Sequence, residues 1–224
     1  MYIGWLGLVF AIAFLDWYAV WTENEEMNRF TKPAAMLALL LWLGLCSKFE
    51  GQLLWFGLAL FFGLLGDIFL LLSKKYFGVG LLSFLIGHML YVVGFGFPPA
   101  QFRLPHFIII LVLGIALALA APKIFQGFQE GYSKKKKLKI PVMVYMLIIS
   151  LMVFSAASTL FDANWKPAAA GLAVSGAMLF FCSDSMLAYR EFVYAFPKAR
   201  FWVRVTYHLG QIALVASAVF NFVK

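Results

Sequence analysis

"LLGDIFLLL", residues 64–72, sets an aspartate inside a run of apolar side chains. Followed outward to about residues 52–73, the run is long enough to cross a bilayer as a helix, which takes about 20 residues. "FFCSDSMLA", residues 180–188, repeats the arrangement around Asp184. A carboxylate at the centre of a span costs about 2.5–3.5 kcal/mol. Asp67 and Asp184 must therefore face protein or a polar cavity, which makes both candidates for function.

The composition places the whole chain in a membrane. Of 224 residues, 64% are hydrophobic and 12% charged, where a soluble domain carries about 25% charged residues. Mean hydropathy is +0.90. Barrel strands alternate polar and apolar side chains, whereas these segments are continuously apolar. Helices are the other structure that satisfies its own backbone in lipid. The expected fold class is all-α, a polytopic membrane helical bundle in one domain. Eight transmembrane helices are expected at about 2–21, 33–47, 52–73, 78–97, 105–122, 140–161, 167–189 and 203–223. Seven Trp and nine Tyr supply interfacial belts. The first segment lacks a basic n-region and a small-x-small cleavage site, so it reads as a retained span. Cys46 and Cys182 lie in or at the edges of spans, and no disulfide framework is expected.

Lys and Arg set the orientation. One set of loops holds Arg29, Lys32, Lys74, Lys75, Lys123, the lysines at 134–137, Lys139, Arg190, Lys198, Arg200 and Arg204, fourteen in all. The other holds Lys48, Arg103, Lys166 and Lys224, which is four. The richer side is expected to be cytoplasmic, with both termini extracytoplasmic. The net charge of +8 then needs no nucleic acid. "KKKK" at 134–137 reads as a topology signal beside anionic lipid.

The two halves, 1–104 and 105–224, echo each other. "TKPAAM" answers "LKIPVM", "GDIFLL" answers "SDSMLA", and "GHMLY" answers "YHLGQ". Four spans per half would make the repeats parallel, related by an axis along the membrane normal.

At about 1.5 Å of rise per residue, Asp67, Asp184, Tyr145, Tyr207 and Gln211 fall at matched depth on the cytoplasmic side. Lys32 stands at the cytoplasmic end of the second span, and His88 lies deeper, near mid-membrane. Phe84, His88 and Tyr91 share a helix face at i, i+4, i+7, as do Tyr207 and Gln211 at i, i+4. Gly63 and Gly66 beside Asp67, and Ala173 and Ala177 on the helix of Asp184, let neighbouring helices come close. One shared polar pocket is the economical reading. Asp16, ringed by Trp17, Tyr18 and Trp21, reads instead as a residue snorkelling to the interface, with a third carboxylate as the reserve reading.

"TKP", "GDIFLLL", "FLIGHMLYVVGF", "LFFCSDSMLA" and "YHLGQIALVAS" together resemble the lysoplasmalogenase (YhhN) family of multi-span membrane proteins, from about residue 30 to the end. The resemblance implies a hydrolase that cleaves the vinyl ether of lysoplasmalogens. Its products would be a fatty aldehyde and glycerophosphoethanolamine or glycerophosphocholine. The family's two aspartates correspond to Asp67 and Asp184. The expected partner is a lysophospholipid in the membrane, and the expected place is a bacterial cytoplasmic membrane.

The chemistry suits two carboxyl groups. A vinyl ether yields to acid: its β-carbon is protonated, an oxocarbenium ion forms, and water adds. Two carboxyls in different protonation states supply donor, charge stabiliser and base, as in glycoside hydrolysis. Asp67 and Asp184 are the expected catalytic dyad, roles open and titrating as a unit. Lys32, His88, Tyr91, Tyr145, Ser183, Tyr207 and Gln211 are the expected substrate-binding set, with Lys32 drawing in the phosphate. No cofactor is expected. No HxxxH or CxxC spacing supports a metal site, and no G-x-S-x-G elbow supports a serine esterase. A proton-coupled small-molecule or lipid transporter is the alternative, since intramembrane carboxylates and parallel repeats also serve transport.

Overall fold

A computed structural model describes residues 3–129 and 138–223. These residues form eight long helices: α1 (Ile3–Trp21), α2 (Glu25–Ser47), α3 (Leu53–Leu72), α4 (Phe77–Gly94), α5 (Leu104–Gln129), α6 (Lys139–Ser158), α7 (Pro167–Phe192) and α8 (Ala199–Phe222). Each is long and apolar enough to cross a membrane. The lysines at 134–137 and Lys224, which weigh in the orientation argument, lie outside the described residues.

The helices pair in chain order, α1 with α2, α3 with α4 and α7 with α8. Helix α8 is the hub, touching α1, α2, α3 and α7. Helix α5 packs on α6 and α7 from outside and is the least buried span.

Small residues bring α7 and α8 together. Ala169, Ala170, Ala173, Gly176 and Ala177 form the buried stripe of α7. A Cβ on Gly176 would fall 2.7 Å from the backbone N of Leu214, and one on Gly210 would fall 2.9 Å from that of Phe180. Backbone cannot yield as a side-chain tip can. Gly176→Ala should therefore prise α8 from α7 and cost about 1–3 kcal/mol, the usual cost of overpacking. Thermal unfolding in detergent, with Gly171→Ala as the control in open space, checks this. Gly66 serves differently: its missing Cβ makes room for the Phe84 ring of α4, which would otherwise stand 2.7 Å away.

Two helix starts differ from expectation, and both differences matter. Helix α2 begins at Glu25, not near 33. The Asn24 side chain accepts from the Met27 backbone N–H at 3.0 Å, and Glu25 and Glu26 occupy the first turn, a favourable N-terminus. Pro33 sits inside the helix and forfeits one backbone bond without ending it. Lys32 is thus a buried residue within α2, not a cap at its end. Helix α8 begins at Ala199, four residues ahead of the expected start, so Arg204 also lies inside a helix and is buried.

Candidate active site

Two polar clusters form in the half of the bundle where α3 and α7 end. In the first, Asp67 of α3 is 1% exposed. Its Oδ1 pairs with Lys32 Nζ of α2 at 2.9 Å, and its Oδ2 accepts from the Tyr207 hydroxyl of α8 at 2.8 Å. In the second, Asp184 of α7 accepts through Oδ2 from the Tyr145 hydroxyl of α6. His88 Nε2 of α4 lies 2.8 Å from the Tyr145 oxygen and 3.1 Å from the same Asp184 oxygen. The tyrosine's one proton goes to Asp184. A proton on His88 Nε2 then completes the triangle, facing both oxygens. Among the described residues His88 Nδ1 has no partner, as fits the unprotonated nitrogen of that tautomer.

Among the described residues no hydrogen bond joins Asp67 to Asp184. The Phe180 ring stands between the clusters, 4.6 Å from the His88 ring and 5.3 Å from the Tyr207 ring. The expected dyad is thus held as two separate carboxylates, Asp67 in one cluster and Asp184 in the other. Each has its own tyrosine and its own nitrogen partner, Lys32 Nζ for Asp67 and His88 Nε2 for Asp184, and both line the polar chamber.

The cavity has two chambers. One, of about 340 Å³, is polar and is lined by Lys32, Asp67, Ser183, Asp184, Arg204 and Tyr207, with Glu25, Asn28, Arg190, Glu191 and Arg200 among the remainder. The other, of about 430 Å³, is apolar and lies beneath α5. Its wall comes from side chains such as Leu81, Leu117, Ala120, Ile124, Met146 and Phe181, with Lys123, Tyr145, Asp184, Ser185 and Tyr189 as polar points. Both volumes fall in the range of ligand pockets, about 300–1,000 Å³. Asp184 lines both chambers, together with Leu70, Phe77, Phe84 and Leu187.

The other expected site residues fall in three places. Tyr145 lines the apolar chamber and Tyr207 the polar one. Ser183 borders the polar chamber, but its hydroxyl donates to the Val203 carbonyl of α8 at 3.0 Å. Tyr91 and Gln211 line neither chamber. They pair with each other in the core, Tyr91 hydroxyl to Gln211 Oε1 at 2.5 Å. His88, fully buried, reaches the chambers only through Tyr145 and Asp184.

Asp16 is a correction. It does not snorkel: it is 0% exposed, pairs with Arg204 Nη1 at 2.6 Å and accepts from the Thr31 hydroxyl at 2.8 Å. Its neighbours Tyr18 and Trp21 do face outward. Arg204 Nη1 also donates to Asn28 Oδ1 at 3.2 Å. Arg204, Asn28 and Thr31 were missed as site residues, yet the sequence carried a signal. Arg204, Tyr207, His208 and Gln211 fall at i, i+3, i+4, i+7, one face of a helix. Asp16 lies on the buried stripe of Val9, Ala13 and Val20. Among the described residues no three His, Cys, Asp or Glu side chains gather as metal ligands would.

Fold and site together define a multi-pass membrane protein with an intramembrane cavity, polar at one end and apolar at the other. The sequence profile of the YhhN family matches residues 27–218. This chain belongs to the YhhN family. It is 32% identical to lysoplasmalogenase TMEM86A of Homo sapiens over 165 residues, 71% of this chain and 63% of that protein. The Bos taurus TMEM86A is 33% identical over the same shares. Lysoplasmalogenase TMEM86B of Homo sapiens is 28% identical over 220 residues, 96% of this chain and 86% of that protein. The chain thus spans less than two thirds of the length of the TMEM86A proteins it matches. No solved structure matches the chain.

Proposed function

We propose that this protein is a hydrolase of the membrane interior that cleaves the vinyl ether bond of lysoplasmalogens. The observation that carries the reading is the position of Asp184 on the boundary between the two chambers. A lysoplasmalogen is an apolar tail joined to a polar headgroup through the bond to be broken. Tail in the apolar chamber and glycerophospho group in the polar one would bring the vinyl ether to Asp184. The relatives' name supports the same reaction.

In the proposed mechanism Asp184 protonates the β-carbon of the vinyl ether, and the electron pair of the double bond forms the new C–H bond. Positive charge then lies on the ether carbon and oxygen. Asp67, the carboxylate of an ion pair with Lys32, stabilises that charge and accepts a proton as water adds to the carbon. As the hemiacetal collapses and the C–O bond to glycerol breaks, Asp67 passes its proton to the glycerol oxygen and the hemiacetal hydroxyl gives its proton back to Asp184, which resets both carboxyls. One water is consumed, and one aldehyde and one glycerophospho-alcohol leave. Tyr145 and His88 hold the Asp184 carboxyl, and Tyr207 holds that of Asp67.

The site lies toward the ends of α3 and α7 and the starts of α4, α6 and α8, the Lys- and Arg-rich side. We assign that side to the cytoplasm of a bacterial inner membrane, with anionic lipid at its basic loops.

Detergent-solubilised protein should release aldehyde from a 1-O-alkenyl lysophospholipid. It should leave the 1-O-alkyl and 1-acyl analogues whole, because neither can form the oxocarbenium ion by protonation of carbon. Mass spectrometry of the products checks this. Binding of all three with none cleaved would instead favour the transport reading.

A further inference from the structure

Among the described residues four cations line the polar chamber, and every one already has a carboxylate. Lys32 pairs with Asp67 at 2.9 Å, Arg190 with Glu191 at 2.9 Å, Arg200 with Glu25 at 2.5 Å and Arg204 with Asp16 at 2.6 Å. In the first three pairs the carboxylate lines the chamber beside its cation. It would face any anion that entered. The fourth differs: Arg204 lines the chamber and Asp16 does not. Asp16 lies behind it in the wall, wholly buried and fixed from α2 by Thr31.

The guanidinium is anchored at one end only. Nη1 serves both Asp16 and Asn28. Among the described residues Nε and Nη2 have no protein acceptor, although the side chain is about nine-tenths buried, at 10% exposure. A planar fork held from behind, with one edge unspent on a polar cavity, matches the two oxygens of a phosphate. Lys32, the residue expected to draw in the phosphate, is already engaged with Asp67.

We propose that Arg204 binds the phosphodiester of the lysolipid headgroup and that Asp16 is its positioning residue. The proposal rests on the hydrolase reading for the identity of the lipid, though not for the anion site. Asp16 orients the fork and fixes its register, and it leaves the chamber end of the pair positive. Headgroup selection in this protein thus involves α1, a helix that brings no side chain of its own into the chamber.

The test is binding of an uncleavable pair in detergent: a 1-O-alkyl lysophospholipid and the 1-O-alkylglycerol of the same chain length. Inorganic phosphate serves as competitor. Wild type should prefer the phospholipid. Arg204→Gln and Asp16→Asn should each lower that preference about tenfold or more, as loss of a charge-assisted hydrogen bond does. Arg204→Lys and Asp16→Glu should restore part of it. General damage to the fold would weaken both ligands together and leave their ratio alone. If Arg204→Gln does not fold, Asp16→Asn decides, since its amide oxygen can still accept from Thr31. An unchanged ratio in Asp16→Asn and Arg204→Gln overturns the proposal, as does equal affinity of wild type for the two ligands. Displacement of the lipid by an equal concentration of inorganic phosphate overturns the lipid assignment. Because neither ligand is cleaved, the preference reads the same whether or not the protein hydrolyses vinyl ethers. For active enzyme, Asp16→Asn should raise KM for the lysoplasmalogen far more than it lowers kcat.

Discussion

Under the proposed mechanism Asp184→Asn is expected to lower vinyl ether hydrolysis by about 10²–10⁴-fold, the span that general acid catalysis contributes, while the protein still inserts and runs as one species. The substitution is nearly isosteric. The amide oxygen can still accept from Tyr145, so the local frame of α4, α6 and α7 has little reason to move. What disappears is the carboxyl that the proposed mechanism uses as proton donor, at the boundary between the two chambers where the β-carbon of the substrate would lie. Tyr145→Phe should be milder, about tenfold, because it removes a hydrogen bond to the carboxyl and leaves the proton donor in place. His88→Asn should fall between the two, since it deletes the Nε2–H that faces that carboxyl. Aldehyde release at saturating substrate, with affinity for the uncleaved alkyl ether measured alongside, separates chemistry from binding. Turnover by Asp184→Asn within tenfold of wild type would take Asp184 out of the reaction.

The sequence announced the bundle clearly because hydrophobicity is a property of single residues added along a helix. All eight spans were legible on that ground. Helix α2 began early for a reason that hydropathy does not weigh: Asn24, Glu25 and Glu26 start a helix through hydrogen bonding and charge, whether or not the turns that follow are apolar. The inward faces of Asp67, Tyr145 and Tyr207 were legible too, from polar groups at matched depth, and that of His88 from its i, i+4, i+7 face with Phe84 and Tyr91. Partner choice was not. Depth says which residues share a level and not which helices touch. So depth alone could not say that His88 lies with Asp184 and Lys32 with Asp67. Asp16 was misread because aromatic neighbours suggest an interface, whereas helix rotation put Tyr18 and Trp21 outward and Asp16 inward. Arg204 was counted as a loop charge because a cation near a boundary usually is one. Its phase with Tyr207 and Gln211 was the better guide.

Lys32→Met destabilises the protein by about 3–5 kcal/mol, the usual consequence of stranding one member of a buried ion pair. Asp67 is 1% exposed and among the described residues would keep only the Tyr207 hydroxyl to offset its burial. Asp67→Asn costs less, because Lys32 borders the polar chamber and its flexible stem can carry the charge toward water. The double variant Lys32→Met/Asp67→Asn regains most of the loss, since no buried charge then lacks a counterion and the new amide oxygen can still accept from Tyr207. Thermal unfolding of the four proteins in one detergent closes the double-mutant cycle. Aldehyde release by the same four proteins separates the two roles open to Asp67. If it acts in the reaction, both variants that carry the Asp67→Asn change stay inactive, however stable the double variant becomes. If it only ties α3 to α2 and α8, turnover returns with stability in the double variant. In that case Asp184, with Tyr145 and His88, would have to carry the reaction without it.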